Sequence, residues 1–114
     1  MMDRASLIKA GVDYDDGLAR FLGKASLYEK FILQFPEDST FPALKQALEQ
    51  GDAQEAFLRV HTLKGVAGNL SFRSFLTVLT PLVEALRAND LKEANLLYPG
   101  VEAAYNALCQ AIQS

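Results

Sequence analysis

The sequence has no tryptophan, one histidine (His61) and one cysteine (Cys109). A single cysteine excludes an internal disulfide and any zinc site built on several thiolates. Long apolar runs are missing: none approaches the roughly 20 residues that span a membrane. The opening Met1-Met2-Asp3-Arg4 lacks the apolar stretch of a signal peptide, so a cytoplasmic location is expected. Basic residues are in deficit, with 11 Lys and Arg against 14 Asp and Glu. The net charge of −3 argues against a nucleic-acid partner, because counterion release needs a basic face. Alternating β-branched runs between turn signals are absent, which leaves no convincing strand. There is no Walker-type phosphate loop and no dinucleotide fingerprint, so the chain is not expected to be a kinase or any other nucleotide-using enzyme. What remains is ordinary globular composition, 50% hydrophobic and 22% charged, in a 114-residue chain read as a single domain, 1–114. A chain of that length buries roughly two-thirds of its unfolded surface, enough for one core without staples.

The hydrophobic spacing is helical throughout. Ser6 to Ala10 reads as a short helix closed by Gly11. Asp13 or Asp15 caps a second one, with Leu18, Phe21 and Leu22 at helical spacing and a stop at Gly23. Ser26 is expected to cap a longer helix with Leu27, Phe31 and Phe35 on one stripe, Ile32 and Leu33 broadening it, and Pro36 ending it. Thr40 precedes Phe41-Pro42 as a cap with proline in the first turn. The helix that follows uses Phe41, Leu44 and Leu48 and ends at Gly51. Asp52-Ala53-Gln54-Glu55 has capping-box spacing and opens a helix from Ala53 to about Leu70. A break at Ser71–Ser74 leads to a helix carrying Phe75, Leu79, Leu82 and Leu86, with a bend expected at Pro81. Asn89-Asp90 turns the chain into a last helix, Leu91 to about Ile112, which Pro99-Gly100 should interrupt. Short leading helices, then four longer ones on short connections, predict an all-α, up-down-up-down antiparallel four-helix bundle.

On a helical wheel at about 100° per residue, Ala56, Val60, Leu63, Ala67 and Leu70 fall on one side and form a core face. His61 falls opposite, with Phe57, Lys64, Gly65, Gly68 and, if the helix runs that far, Phe72. Two glycines inside a helix cost about 1 kcal/mol each relative to alanine. They strip the surface bare beside the imidazole, which lets another molecule approach. Lys64 shares the face at i+3, placed to neutralise an anion on the ring, and it disfavours protonation so that a neutral nitrogen stays nucleophilic. A lone helical histidine is most often a plain surface residue, and a glycine pair can instead mark a close helix crossing. The combination shifts that weighing. Lys at i+3 and Gly at i+4 from the only His arise by chance about three times in a thousand at this composition.

The run from Ala56 to Leu70, with His61-Thr62-Leu63-Lys64-Gly65 followed four residues later by Asn69-Leu70, resembles the signature of histidine phosphotransfer (HPt) domains. Gly17 to Gly23, then Leu27-Tyr28 and Phe31, are similar to the family's opening helices, and Ala47-Leu48 with Gly51-Asp52 to the stretch before the motif. The resemblance implies a four-helix bundle that carries phosphate between receiver domains of response regulators or hybrid sensor kinases. It implies that His61 is phosphorylated, that Lys64 supports the phosphoryl group and that Gly65 admits the receiver's acidic pocket and its magnesium. Phe57, Gly68 and Phe72 would then border the docking face. The chain itself is expected to need no cofactor and no metal, and to be a monomer. Asp13, Asp15 and Asp16 read as helix-start acids. Two positions depart from the family. Ser71 stands where a glycine is usual, and is expected to cap the next helix. Leu82-Val83-Glu84 lacks a glutamine that some members use to hold the histidine; if Glu84 faces His61, it could orient the ring but would repel a phosphate.

Two other classes compete. A di-iron bundle needs two Glu-x-x-His pairs, which one histidine cannot supply, and a haem needs an inward histidine. A bundle of this shape that carries no phosphate and serves only interaction or dimerisation would use the outward Phe57 and Phe72 equally well. Cys109 reads as a small hydrophobe at the core.

Overall fold

Short aspartates start four of the helices. The computed structural model describes residues 2–114, and among them the elements are α1 (Arg4–Lys9), α2 (Tyr14–Arg20), α3 (Ala25–Gln34), a 3-10 turn (Phe35–Glu37), α4 (Thr40–Glu49), α5 (Ala53–Asn69), α6 (Arg73–Arg87) and α7 (Leu91–Gln113). Asp3, Asp13, Asp52 and Asp90 each accept a hydrogen bond from the backbone N–H three residues on, satisfying a donor that the first turn leaves orphaned. Left-handed residues stop the helices. At the end of α5, Ser71 (φ 58°) closes a Schellman turn in which Phe72 N–H donates to the Ala67 carbonyl at 2.9 Å and Ser71 N–H to that of Gly68 at 3.3 Å. Gly51 does the same for α4 and Asn89 for α6.

Several sequence expectations change. Five helices of ten residues or more follow the two short ones, rather than four. Ser26 does not cap α3; it lies inside the helix, whose N-cap is Lys24 with no side-chain cap bond. Thr40 is already helical, and its N–H is held at 2.8 Å by the carboxylate of Asp38. The buried stripe of α3 is Tyr28 and Ile32, continuing into Phe35, while Leu27, Phe31 and Leu33 are exposed. Tyr28 wins the inward position because its hydroxyl finds a buried carbonyl, so a polar tip costs nothing there. Pro99-Gly100 does not interrupt α7, whereas Pro81 lies inside α6 as the sequence places it. Both prolines face solvent, so water can serve the carbonyl whose helical partner is lost.

Helices α4 and α5, α5 and α6, and α6 and α7 pack along one another in sequence. Between them lies a core of Leu44, Leu48, Ala56, Val60, Leu63, Ala67, Leu79, Leu82, Val83, Leu86, Val101, Leu108 and Ile112. Phe35, Phe72, Phe75 and Tyr105 form an aromatic cluster at one side, with Phe35 edge-on to Phe72 at 5.1 Å. Phe72 therefore belongs to the core, at 1% exposure, and not to a docking face. The wheel placed it outward by extending α5 past its true end. The Schellman turn at Ser71 reverses the chain and sends the next apolar side chain inward.

The N-terminal segment clasps the corner between α5 and α6. Val12 bridges to Phe72, Asp13 N–H donates to the Ser71 carbonyl at 2.8 Å, and Ser74 N–H donates to Gly11 at 3.2 Å. The Tyr28 hydroxyl donates to the Leu70 carbonyl at 2.7 Å. Burial pushes the Tyr28 hydroxyl up to about 12, so it stays a donor. Ser71 is not a cap either: its hydroxyl donates to the Asp16 carboxylate at 2.6 Å, and Arg73 reaches Asp13 and Asp16 at 3.2 and 3.6 Å. The Ser71 bond, then that of Arg20, holds the Asp16 carboxyl below its usual value. A lowered pKa means this contact stabilises the fold above the usual carboxylate range and is lost as pH falls through the lowered value. Gly11 is required at its place, with φ 91° and Ser74 where a β-carbon would stand.

Gly17 has the same property against a rigid partner. A methyl group there would stand 2.0 Å from the Tyr28 hydroxyl oxygen and 2.2 Å from its ring carbon Cζ. Gly17→Ala should lower stability by at least the roughly 1–3 kcal/mol typical of overpacking, against the gain in helix propensity. A denaturant melt that puts the variant level with the parent would show that the ring can move away freely.

Candidate functional site

The site is one face of α5. Ala56, Val60, Leu63 and Ala67 are buried and fix the rotation of the helix. The opposite side then carries His61, exposed, with Gly65 exposed and Phe57, Lys64 and Gly68 half-buried. The wheel placed these five correctly relative to the core, and they come together as one stripe about three turns long.

The glycines keep no neighbour close. A β-carbon built at Gly65 or at Gly68 meets nothing within 4 Å. Tight helix crossing is therefore not why these positions lack side chains. Their effect is on the surface, where the helix backbone lies bare on the C-terminal side of the imidazole.

On its N-terminal side the imidazole rests on Phe57, with ring centroids 5.7 Å apart and planes inclined by 20°. The guanidinium carbon of Arg87, from α6, sits 5.2 Å from the centre of the Phe57 ring. Arg87 Nε in turn meets a carboxylate oxygen of Glu84 at 3.3 Å. Sequence reading missed Arg87. Nothing in the α5 motif signals a residue from the end of α6, which only packing brings alongside. Glu84 neither orients His61 nor stands as a free acid beside it; its carboxylate is engaged by Arg87.

Among the described residues, the His61 imidazole makes no hydrogen bond and Lys64 no ion pair. Lys64 on its own helix and Arg87 over Phe57 are cations of this face. An exposed imidazole with a free nitrogen, a cation one turn away and a bare approach can attack an electrophile and hold the resulting anion. Among the described residues, no group of three or more His, Cys, Asp or Glu could hold a metal ion. Cys109 is half-buried against the core, where burial pushes its thiol up. No described helix is long and apolar enough to cross a membrane.

The other flank of α5 opens on a groove of about 650 Å³ lined by Phe21, Phe31, Phe35, Val66, Asn69 and Leu70. Phe31, on the misassigned stripe of α3, is exposed here, its ring tilted by 41° against that of Phe21 with centroids 5.6 Å apart.

No curated protein and no solved structure matches the chain. The family model of the Hpt domain does match, over residues 26–113, which takes in α5 whole and most of the chain. Hpt domains are phosphocarriers rather than kinases, and they work with receiver domains in phosphorelay signalling. The chain belongs to the Hpt domain family.

Proposed function

We propose that this chain accepts a phosphoryl group on His61 from the aspartyl phosphate of one receiver domain and delivers it to the aspartate of another. The reading rests on one observation above all. The chain's single histidine is exposed on a helix face where two glycines leave open space beside it.

In the forward step a neutral imidazole nitrogen attacks phosphorus, the bond from phosphorus to the aspartyl oxygen breaks, and the carboxylate leaves. The second step runs the same exchange onto a new carboxylate. Such transfers need positioning and charge stabilisation more than covalent chemistry from the protein. The carrier supplies the nucleophile and Lys64; the receiver supplies its own acidic residues and metal. Phe57 and Gly68 border the contact. The described helices α4 to α7 would form the up-down-up-down bundle of a single domain that displays α5 to both partners.

His61→Gln should leave the melting temperature unchanged and abolish acid-labile phosphate after incubation with a phosphorylated receiver domain. Acid-labile label retained by that variant would end the phosphocarrier reading.

Lys64→Ala should change stability by no more than about 0.5 kcal/mol, as at most surface sites. Its transfer rate should fall about tenfold or more, since a contact to a charged group is worth about 1.5–3 kcal/mol. Rates equal to the parent's in a single-turnover assay would reduce the lysine to a solvated charge.

Gly65→Gln separates stability from docking. With open space at the β-carbon, the variant should melt at the parent's temperature or higher, gaining up to about 1 kcal/mol of helix propensity. It should transfer phosphate much more slowly, because interfaces pack as densely as protein interiors. A variant that is destabilised yet transfers normally would mean the glycine serves packing instead.

A further inference from the structure

A phosphoacceptor ring on an open helix face has a problem of its own. Two side-chain torsions are free, and each wrong rotamer points the nucleophilic edge away from the partner. In other sites a hydrogen bond to one ring nitrogen settles the matter. Here no described residue makes that bond. Helical side chains lean toward the N-terminus, so the His61 ring is carried back over the turn that begins at Phe57. There it meets an aromatic face at 5.7 Å and 20°, an offset stack. The Phe57 ring is half-buried at the seam between α5 and α6. It is held from α6 by Arg87, whose guanidinium carbon lies 5.2 Å from the ring centre and whose Nε is tied to Glu84 at 3.3 Å.

We propose that Phe57 and Arg87 are positioning residues for His61: Phe57 restrains the imidazole by stacking, and Arg87 fixes Phe57 from the neighbouring helix. This rests on the reading of His61 as the phosphoryl acceptor. Neither residue touches the phosphoryl group. Stacking closes one face of the imidazole and leaves its nitrogen-bearing edge free, while the glycine side stays clear for the partner. Ordering the ring before the encounter removes rotamer freedom that the transfer step would otherwise have to remove. The arrangement uses no proton and no hydrogen bond to imidazole, so the ring remains a free nucleophile.

Nuclear magnetic resonance on the labelled full chain tests this directly. The carbon-bound imidazole protons of His61 should be displaced upfield from free-histidine positions by the Phe57 ring current. Phe57→Leu should return them to those positions, and Phe57→Tyr, which keeps the aromatic face, should preserve the displacement. Arg87→Leu should reduce it and Arg87→Lys retain part of it. In single-turnover transfer from a phosphorylated receiver, Phe57→Leu and Arg87→Leu should lose roughly three- to tenfold in the rate at saturation. For Arg87→Leu the half-saturating receiver concentration should stay constant, and Phe57→Tyr should restore the rate. Imidazole protons at free-histidine positions in the parent would overturn the proposal. So would a loss confined to the half-saturating concentration, which marks a docking residue. A parent chain that takes no acid-labile phosphate overturns the phosphocarrier reading instead, and the proton shifts still decide whether the stack exists. Thermal melts on each variant establish that the fold compared is the same.

Discussion

The rotation of α5 about its own axis governs the rest of the molecule. Four side chains, Ala56, Val60, Leu63 and Ala67, must face inward, and two of them are only methyl groups. Small residues on that face let α4 and α6 approach closely, so the helix cannot roll without opening the core. With the roll fixed, a period of about 3.6 residues leaves no choice about where His61, Lys64, Gly65 and Gly68 point. The functional face is the geometric complement of the packing face.

That face is expensive for the helix that bears it. Two glycines in a 17-residue helix sacrifice about 2 kcal/mol of propensity, and no close contact at either returns it. Compensation lies at the ends. Asp52 caps the start with a bond to Glu55, and the Schellman turn at Ser71 closes the finish. The clasp from Tyr28, Asp13 and Asp16 then holds that turn from outside the helix. Ser71 itself occupies a left-handed conformation that disfavours side chains, and its hydroxyl is tied to Asp16.

The sequence was legible where local periodicity and burial agree. Asp52 as a cap, the inward stripe of α5 and the outward His61 follow from spacing alone, because a long helix with a small-residue face admits one orientation. Misreadings came where a turn or a tertiary contact overrules the period. Phe72 lies beyond a left-handed residue that no wheel can represent. Tyr28 displaced Leu27 and Phe31 from the core of α3 because a carbonyl 42 residues away accepts its hydroxyl bond. Pro99 was read as a break, yet a helix tolerates proline where its partner carbonyl faces water. Arg87 gave no signal because its role depends on which turn of α6 lies beside Phe57.

The clasp has a consequence for how force and motion travel through the molecule. Residues 11 to 16 are distant in sequence from the corner at 70 to 74 but are hydrogen-bonded to it on several sides. They also precede the stretch that the family match covers. Local opening of this region therefore cannot be a private event of the N-terminus. Releasing it exposes the Ser71 carbonyl and leaves the last turn of α5 held from outside by Tyr28 alone. Residues 11 to 16 act as a mechanical latch, and tension applied to them is delivered to the corner after α5, about two and a half turns from the imidazole.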